Sequence, residues 1–561
     1  MSRERTQTLD QIRQQPNIPI LIVGGGINGA GLLRELALQG VDALLVEKGD
    51  YCSGASAAST RVIHGGLRYL ENFELRLVRE SLHERNRLIR NAPHSVRPLP
   101  TTIPIFNRTG GITHIVKKFL RIPSKPGGRG ALVVKIGLTL YDFLTRSERV
   151  LPTHRFTNRR DALALRPELN PDIYCTATYY DASIAYPERL CLELILDARA
   201  SGGRALNYVS LAGADGGSVT LRDEISGETL TIKRQIVVNA TGAWIDFTNR
   251  ALKRESRFIG GTKGSHLVID HPALLEATQQ QMLYFENADG RICIFYRVFD
   301  RVIAGSTDIP ITDPEQAICD DDEADYILAS IRQVFPNIKV DRSHVVYRFC
   351  GVRPLPRSDA VTTGQISRDH SAPLTPPGNG IDFPIYSLIG GKWTTFRAFA
   401  EQVADDLLPL LKQTRRTRSD DLAIGGGKDY PEDTAVWIVE VAQKNQLSHE
   451  RVAALFERYG TRANEIAAYL SAAPDRTLRS HADYSEREIR FMIECEDAEH
   501  VEDIILRRTL LALLGQLSFD LIAELASILA ESLGWSAEQI EQEIARTLDL
   551  LETRAGVKLS P

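Results

Sequence analysis

Residues 18–47 read IPILIVGGGINGAGLLRELALQGVDALLVE, and this stretch decides the fold. Ile18 to Val23 is a short apolar run bounded by Gly24, the pattern of a buried strand. Gly29 to Gln39 has helical spacing, with Leu32, Leu33, Leu36 and Ala37 on one side and Gly40 as its stop. Ala43 to Val46 is a second strand, closed by Glu47. The stretch is therefore a β-α-β unit within about thirty residues.

Between its first strand and its helix stands Gly24-x-Gly26-x-x-Gly29. The first glycine permits a tight turn, the second lets backbone approach a pyrophosphate, and the third allows close packing of helix on strand. The phosphates then face backbone N–H groups at the helix N-terminus. Glu47 lies where a carboxylate accepts ribose hydroxyls. Strand, helix, second strand and acid fall in register, which points to a bound dinucleotide.

Two later segments favour FAD over NAD. VVNATGAW (Val237–Trp244) resembles the second strand-and-turn signature of FAD-containing oxidoreductases. LIGGKWTT (Leu388–Thr395) fits the late return of such chains to the cofactor domain. There a helix N-terminus and Lys392 stabilise negative charge on reduced flavin. The hydroxyl- and glycine-rich run from Ser56 to Leu70 suits the pyrophosphate and ring, and Arg68 suits a phosphate.

Elsewhere Leu190–Ala200 reads as a helix, Arg204–Ile232 as short β pieces, and Ile236–Val238 as a strand. Residues 262–310 alternate as a sheet that covers a ligand. Residues 430–561 read as amphipathic helices, for example Val501–Leu517 and Ser536–Leu551. The Gly425-Gly426-Gly427 run is the expected domain boundary.

The chain of 561 residues has a net charge of −5, 43% hydrophobic and 25% charged residues, which excludes collagen-like and wholly disordered classes. No apolar stretch is long enough to span a membrane. Its seven scattered cysteines include no Cys-x-x-Cys pair, so neither a disulfide framework nor a metal site is expected. The polar start MSRERTQTLDQIRQQ has no signal core, which points to a cytoplasmic location. From Arg85 to Tyr141 there is no Asp or Glu but there are 11 Lys/Arg. Within it, Ile112, Ile115, Val116 and Phe119 share a helical face beside Lys117, Lys118, Arg121 and Lys125, a pattern suited to an anionic membrane surface. A solvated loop or a face toward substrate phosphate remains open. Nucleic acid is not an expected partner, because aromatics are not interleaved with the basic residues.

GGGINGAG (Gly24–Gly31), HGGLRYLE (His64–Glu71), KGSH (Lys263–His266), GSTD (Gly305–Asp308), GVRPL (Gly351–Leu355) and GGKWTTFR (Gly390–Arg397) stand in this order. Together they resemble the FAD-dependent glycerol-3-phosphate dehydrogenase family over most of residues 18–400. Arg458-Tyr459-Gly460 and Glu486–Thr509 resemble its C-terminal domain. The resemblance implies an α/β fold: a doubly wound FAD-binding domain, an interwoven sheet-based substrate domain (roughly 90–190 and 250–350, within 18–400), and an all-α C-terminal domain over 401–561.

It also implies roles. Gly24, Gly26, Gly29, Glu47, Ser56, Ser59, Thr60, Arg61, His64, Gly391, Lys392 and Thr394 match FAD-binding positions. Arg68, Tyr69, Ser306, Arg353 and Arg368 match substrate positions, the last two arginines holding its phosphate. His266, Arg353 and Lys392 match the catalytic centre, with His266 a base for the alcohol proton. The implied reaction oxidises sn-glycerol 3-phosphate to dihydroxyacetone phosphate, electrons passing to quinone in a peripheral enzyme on the inner face of the cytoplasmic membrane. Oligomeric state stays open, a homodimer included. So do a flavin oxidase of another hydroxy acid or amine and a non-catalytic FAD-binding partner protein. Two segments depart from the family, Tyr186–Arg189 and Ile294–Arg297, and both are candidates to line the substrate pocket.

Overall fold

The computed structural model describes residues 3–72, 74–110, 129–287, 289–358 and 369–560. The predicted β-α-β unit forms the centre of a six-stranded sheet. Its strands run in the order 374–375, 385–387, 236–239, 20–23, 43–46 and 204–206, all parallel except the antiparallel edge at 374–375. Ile20, Ile22 and Leu45 pack on one face, beneath the helices Ile27–Leu38, Pro187–Ala200 and Phe396–Leu407. Leu21, Val23, Leu44 and Val46 pack on the other, against Val219, Leu221 and Ile232 of a three-stranded antiparallel sheet. Both faces are covered, which is why these strands read as unbroken apolar runs rather than alternating ones.

A second sheet of ten strands holds Val96–Ile105, Cys175–Ile184, Thr262–Ile269, Met282–Glu286, Ile292–Val298, Arg301–Gly305 and Val345–Arg353. The alternation expected over 262–310 is present. On Thr262–Ile269, Leu267 and Ile269 pack against the helix Asp321–Val334, while Val268 points to the opposite side.

The C-terminal part is helical, with Thr434–Asn445, His449–Tyr459, Ala463–Ser471, Glu486–Cys495, Phe519–Leu533 and Ala537–Leu550 around one core. Ser536 caps the last of these, with Gln539 returning the bond.

One expectation is corrected. Val501–Leu517 is not one helix: a single turn, Val501–Asp503, passes into a wider π-type turn, Ile504–Arg508, and ends there. A regular helix turns consecutive side chains about 100° apart, yet Arg507 and Arg508 both reach the carboxylate of Asp50, at 2.6 and 2.7 Å. The widened turn lets them converge. The Gly425–Gly427 run is packed tightly. All three glycines are buried, and a Cβ on Gly427 would lie 2.5 Å from Asn91 O. They are glycine because the two parts of the chain touch there.

Candidate functional site

The glycines of the first turn do what their spacing predicts. Gly24 sits at φ +113°, and a Cβ there would lie 2.6 Å from Ala240 O. A Cβ on Gly29 would overlap Gly24 O, so the helix can approach the strand only as glycine. The helix starts at Ile27, two residues earlier than expected, with Gly26 as an N-cap that offers no side-chain bond. Ser56 Oγ accepts from Ile27 N at 3.0 Å. The Glu47 carboxylate accepts from Gly25 N at 2.7 Å and Gly49 N at 3.0 Å. Burial pushes its pKa up, against these two donors, which hold it down.

The return segment closes over this turn. Trp393 Nε1 donates to Ser56 O at 2.9 Å and Thr394 Oγ1 to His64 O at 3.2 Å. Gly391, at φ +90°, passes beside Asn28, whose Oδ1 is buried with no partner among the described residues. Lys392 Nζ donates to Ser81 Oγ at 2.6 Å and lies 4.5 Å from the centre of the Tyr69 ring. Residues 56–69 and 390–395, far apart in sequence, thus form one rim. A helix N-terminus with a glycine N-cap, a glycine-only approach, a fixed carboxylate and an orphaned amide oxygen together fit a dinucleotide cofactor.

The second cluster lies on the large sheet. His266 pairs across with Gly305 on one side and Phe349 on the other. Its ring stacks on Phe349 with centres 4.9 Å apart, and its Nε2 meets Thr60 Oγ1 at 3.1 Å. Gly305 is required beneath it, since any Cβ there would strike the imidazole. His266 is 2% exposed and its Nδ1 has no partner among the described residues. Burial, then the charges of Arg353 and Arg61, push its pKa down to about 3. It is therefore neutral at physiological pH, with a ring nitrogen free of a proton, and its proton affinity lies well below that of a free imidazole. Arg353 lies flat over Gly264, and its guanidinium donates to Ser306 Oγ (3.0 Å), Thr307 O (3.2 Å) and Asp308 Oδ1 (3.1 Å). The structure therefore brings His266, Thr60, Ser306 and Arg353 together.

Other expected residues stand differently. Arg61 is 3% exposed, and its guanidinium is taken by Glu188 Oε1 at 2.5 Å and Ala185 O at 2.6 Å. Ser59 Oγ accepts from Arg61 N, which shapes the loop. Arg68 is half-buried in the short helix Leu67–Asn72, and Tyr69 is buried beside Lys392. Arg368 and most of the basic segment, 111–128, lie outside the described residues.

The central residues of the two departing segments are engaged inside the protein. Glu188 pairs with Arg61, and Arg189 forms a bidentate pair with Glu496 at 2.7 and 2.9 Å. Tyr296 OH donates to Thr60 O and Arg61 O, locking the loop that holds Thr60 against His266. Sequence reasoning missed Asp181, whose Oδ1 receives Gly65 N (3.0 Å), Tyr141 OH (2.6 Å) and Arg85 Nη1 (3.0 Å). A lone charge inside an otherwise uncharged strand, TATYYDASI, was the available signal.

The His266 pKa has a consequence for stability. The unfolded chain binds this proton near pH 6.5 and the folded chain only near 3. The stabilisation is complete above about 6.5 and is lost as pH falls, by about 1.4 kcal/mol per unit. Urea melts between pH 7 and 5 are expected to show this slope in the parent protein and its loss in His266→Gln. Coincident slopes would mean that the folded imidazole protonates freely.

Comparison with known proteins places these features. Residues 19–377 match the family described as FAD dependent oxidoreductase, and residues 417–540 match the C-terminal domain of alpha-glycerophosphate oxidase. A glycerol-3-phosphate dehydrogenase of Synechocystis is 33% identical over 95% of this chain and 96% of its own. A D-erythritol 1-phosphate dehydrogenase of Brucella abortus is 30% identical over 87% of this chain and 93% of its own. Among solved structures, a glycerol-3-phosphate dehydrogenase of Bacillus halodurans complexed with FAD has the same fold. Its TM-score is 0.74 at 22% identity, with 98% of each chain covered.

Proposed function

The chain belongs to the FAD-dependent oxidoreductase family, and from that premise we propose that it oxidises sn-glycerol 3-phosphate to dihydroxyacetone phosphate. The observation that carries the reading is a neutral, buried imidazole beside a half-buried guanidinium, both against the rim of a dinucleotide cradle. Gly24, Gly26, Gly29, Glu47, Ser56, Gly391 and Thr394 would hold FAD. When bound, FAD supplies the acceptor for the carbinol hydride.

The protein's own residues do the rest. Arg353 and Ser306 bind the phosphate, with Arg68 and Arg368 as further cations. His266 takes the hydroxyl proton on its imidazole, while Thr60 and Phe349 fix the ring. Lys392, held by Ser81 and Tyr69, supplies a fixed positive charge. Tyr296 and Asp181 are positioning residues for the 60–65 loop. We assign residues 18–400 to the interleaved cofactor and substrate domains and 401–561 to the helical domain.

Anaerobic mixing with candidate substrates tests the reading. Glycerol 3-phosphate is expected to bleach the flavin, and amino acids are not. Bleaching by an amino acid alone would identify an amine oxidase. FAD that no alcohol phosphate bleaches would identify a non-catalytic flavoprotein. D-erythritol 1-phosphate belongs in the same series, given the Brucella relative.

The proposal extends to quinone as acceptor and to peripheral attachment at an anionic, cytoplasmic membrane face. No helix among the described residues is long and apolar enough to cross a membrane. The helix Ala131–Leu144, next to the basic segment, exposes Leu132, Ile136 (63%) and Phe143 (66%) along one side. Each nearby Lys or Arg adds about 1 kcal/mol at such a surface, and salt shortens its reach from about 10 Å at 0.1 M to about 3 Å at 1 M. Pelleting with vesicles containing anionic lipid is expected to fall at least tenfold at 1 M salt, and again in Ile136→Asp. Salt-independent pelleting would remove the basic segment from this role.

A further inference from the structure

The large sheet has a second polar site on the side away from His266. The strand registers settle which side it is. Leu267 stands opposite Ala304, Ala304 opposite Phe295, Phe295 opposite Leu283, Leu283 opposite Thr102, and Thr102 opposite Thr178. Paired residues share a face and neighbours along a strand alternate. Thr102 and Thr178 therefore lie on the Leu267 face and His266 on the other. On the Leu267 face a cleft of about 310 Å³, including the part open to solvent, is lined by Arg155, Arg166, Thr157, Thr178, Gln279 and Gln281 among others. None of its lining residues is acidic.

Arg166 is the unusual member. It is 4% exposed, yet among the described residues its side chain makes one hydrogen bond, a long 3.4 Å contact from Nη2 to Thr278 O, and its Nε has no partner. Several other buried arginines here meet a carboxylate: Arg5 with Asp223 (2.8 Å), Arg61 with Glu188 (2.5 Å), Arg189 with Glu496 (2.7 Å), Arg508 with Asp50 (2.7 Å). Among the described residues Arg234 and Arg254 hydrogen-bond only to backbone carbonyls, but neither lines this cleft. An uncompensated buried cation is costly. Burial, opposed only by the charge of Glu168, pushes Arg166 down to about 10. The rest of the lining supplies donors. Gln281 Oε1 is taken by Thr102 Oγ1, which leaves its amide NH₂ to donate. Thr157 adds a hydroxyl, and exposed Arg155 stands at the edge with a second guanidinium.

We propose that this cleft binds a small tetrahedral oxyanion, inorganic phosphate or a compact phosphate monoester, which serves as the missing counter-charge of Arg166. Arginine forks match phosphate oxygens in pairs, and the enclosed part of the cleft is small, so only a compact anion at its open mouth would reach Arg166. The site is separate from the Arg353 centre and does not rest on the reaction proposed above.

Equilibrium dialysis of the FAD-loaded protein against radiolabelled inorganic phosphate at low ionic strength tests it. One equivalent of phosphate is expected to survive Arg353→Ala. In that background Arg166→Gln should weaken it at least tenfold, and Arg155→Ala several-fold, with FAD content unchanged. Arg155 is exposed, so its variant keeps the test valid if the Arg166 variant folds poorly. Displacement by methyl phosphate at equal affinity assigns the site to monoesters. Displacement by inorganic phosphate alone assigns it to the free ion. Loss of all phosphate binding in Arg353→Ala, or unaltered binding in both Arg166→Gln and Arg155→Ala, overturns the proposal.

Discussion

Arg353→Ala is expected to lower kcat/KM for glycerol 3-phosphate by about 10²- to 10³-fold, about 3–4 kcal/mol, while FAD stays bound. The guanidinium reaches Ser306 Oγ, Thr307 O and Asp308 Oδ1 and rests on Gly264, where no Cβ would fit. It is therefore held rigidly, and a rigid fork loses little entropy on gripping a phosphate. Arg353→Lys keeps the charge but not the fork and should recover only part of the loss. A second readout separates binding from collapse. Burial is the largest cause of the low His266 pKa, and the charge of Arg353 is the next. Removing that charge should raise the His266 pKa, and any acid limb of the kcat/KM profile should move toward higher pH. Unchanged kinetics would shift the phosphate site to other cations such as Arg68. Lost activity with lost FAD would mark Arg353 as structural.

Much of this was legible because it is local. The first strand, the glycine turn and the second strand depend on residues within thirty positions, where apolar runs and glycine spacing act directly on backbone geometry. The return at Leu388–Thr395 was readable for the same reason: a glycine pair between strand and helix has few other uses. Partners of buried charges were not legible. Arg61 stands among the cofactor positions by resemblance alone, and the partner of its guanidinium was hidden. Its acid, Glu188, lies 127 residues away, and no local pattern joins the two. The helix Pro187–Ala200 did hold a hint. Glu188, Arg189, Glu193 and Asp197 are all buried on it among leucines and isoleucines. Charges on a helix that is apolar all round must be paired elsewhere. The break after Arg508 was hidden likewise, since the pull on its two arginines comes from Asp50, more than 450 residues earlier.

That pull yields the other large effect. Asp50→Asn is expected to destabilise the folded chain by about 3–5 kcal/mol, the usual cost of removing one partner of a buried ion pair. Burial works to raise the Asp50 pKa, but Arg508 and Arg507 outweigh it and hold the carboxyl at about 2, so it is charged at every pH of interest. Its oxygens receive Arg508 at 2.7 and 2.9 Å, Arg507 at 2.6 Å and Asn207 at 3.2 Å. Without it Arg507 keeps Asp503 and Glu502, whereas Arg508 keeps only the carbonyl of Glu496. The damage should therefore be coupled to Arg508. The double variant Asp50→Asn, Arg508→Met should be less destabilised than the two single changes added together, by 1 kcal/mol or more. The effect should also reach the cofactor. Asp50 is three residues beyond Glu47, whose carboxylate is bound by Gly25 N and Gly49 N. The helical C-terminal part thus grips the loop that ends the second strand of the dinucleotide fold. Asp50→Asn should release FAD more readily than the parent at equal fractions folded, as read by flavin fluorescence. Additive destabilisation with FAD retention unchanged would mean that the ion cluster joins the two parts without tuning the cradle.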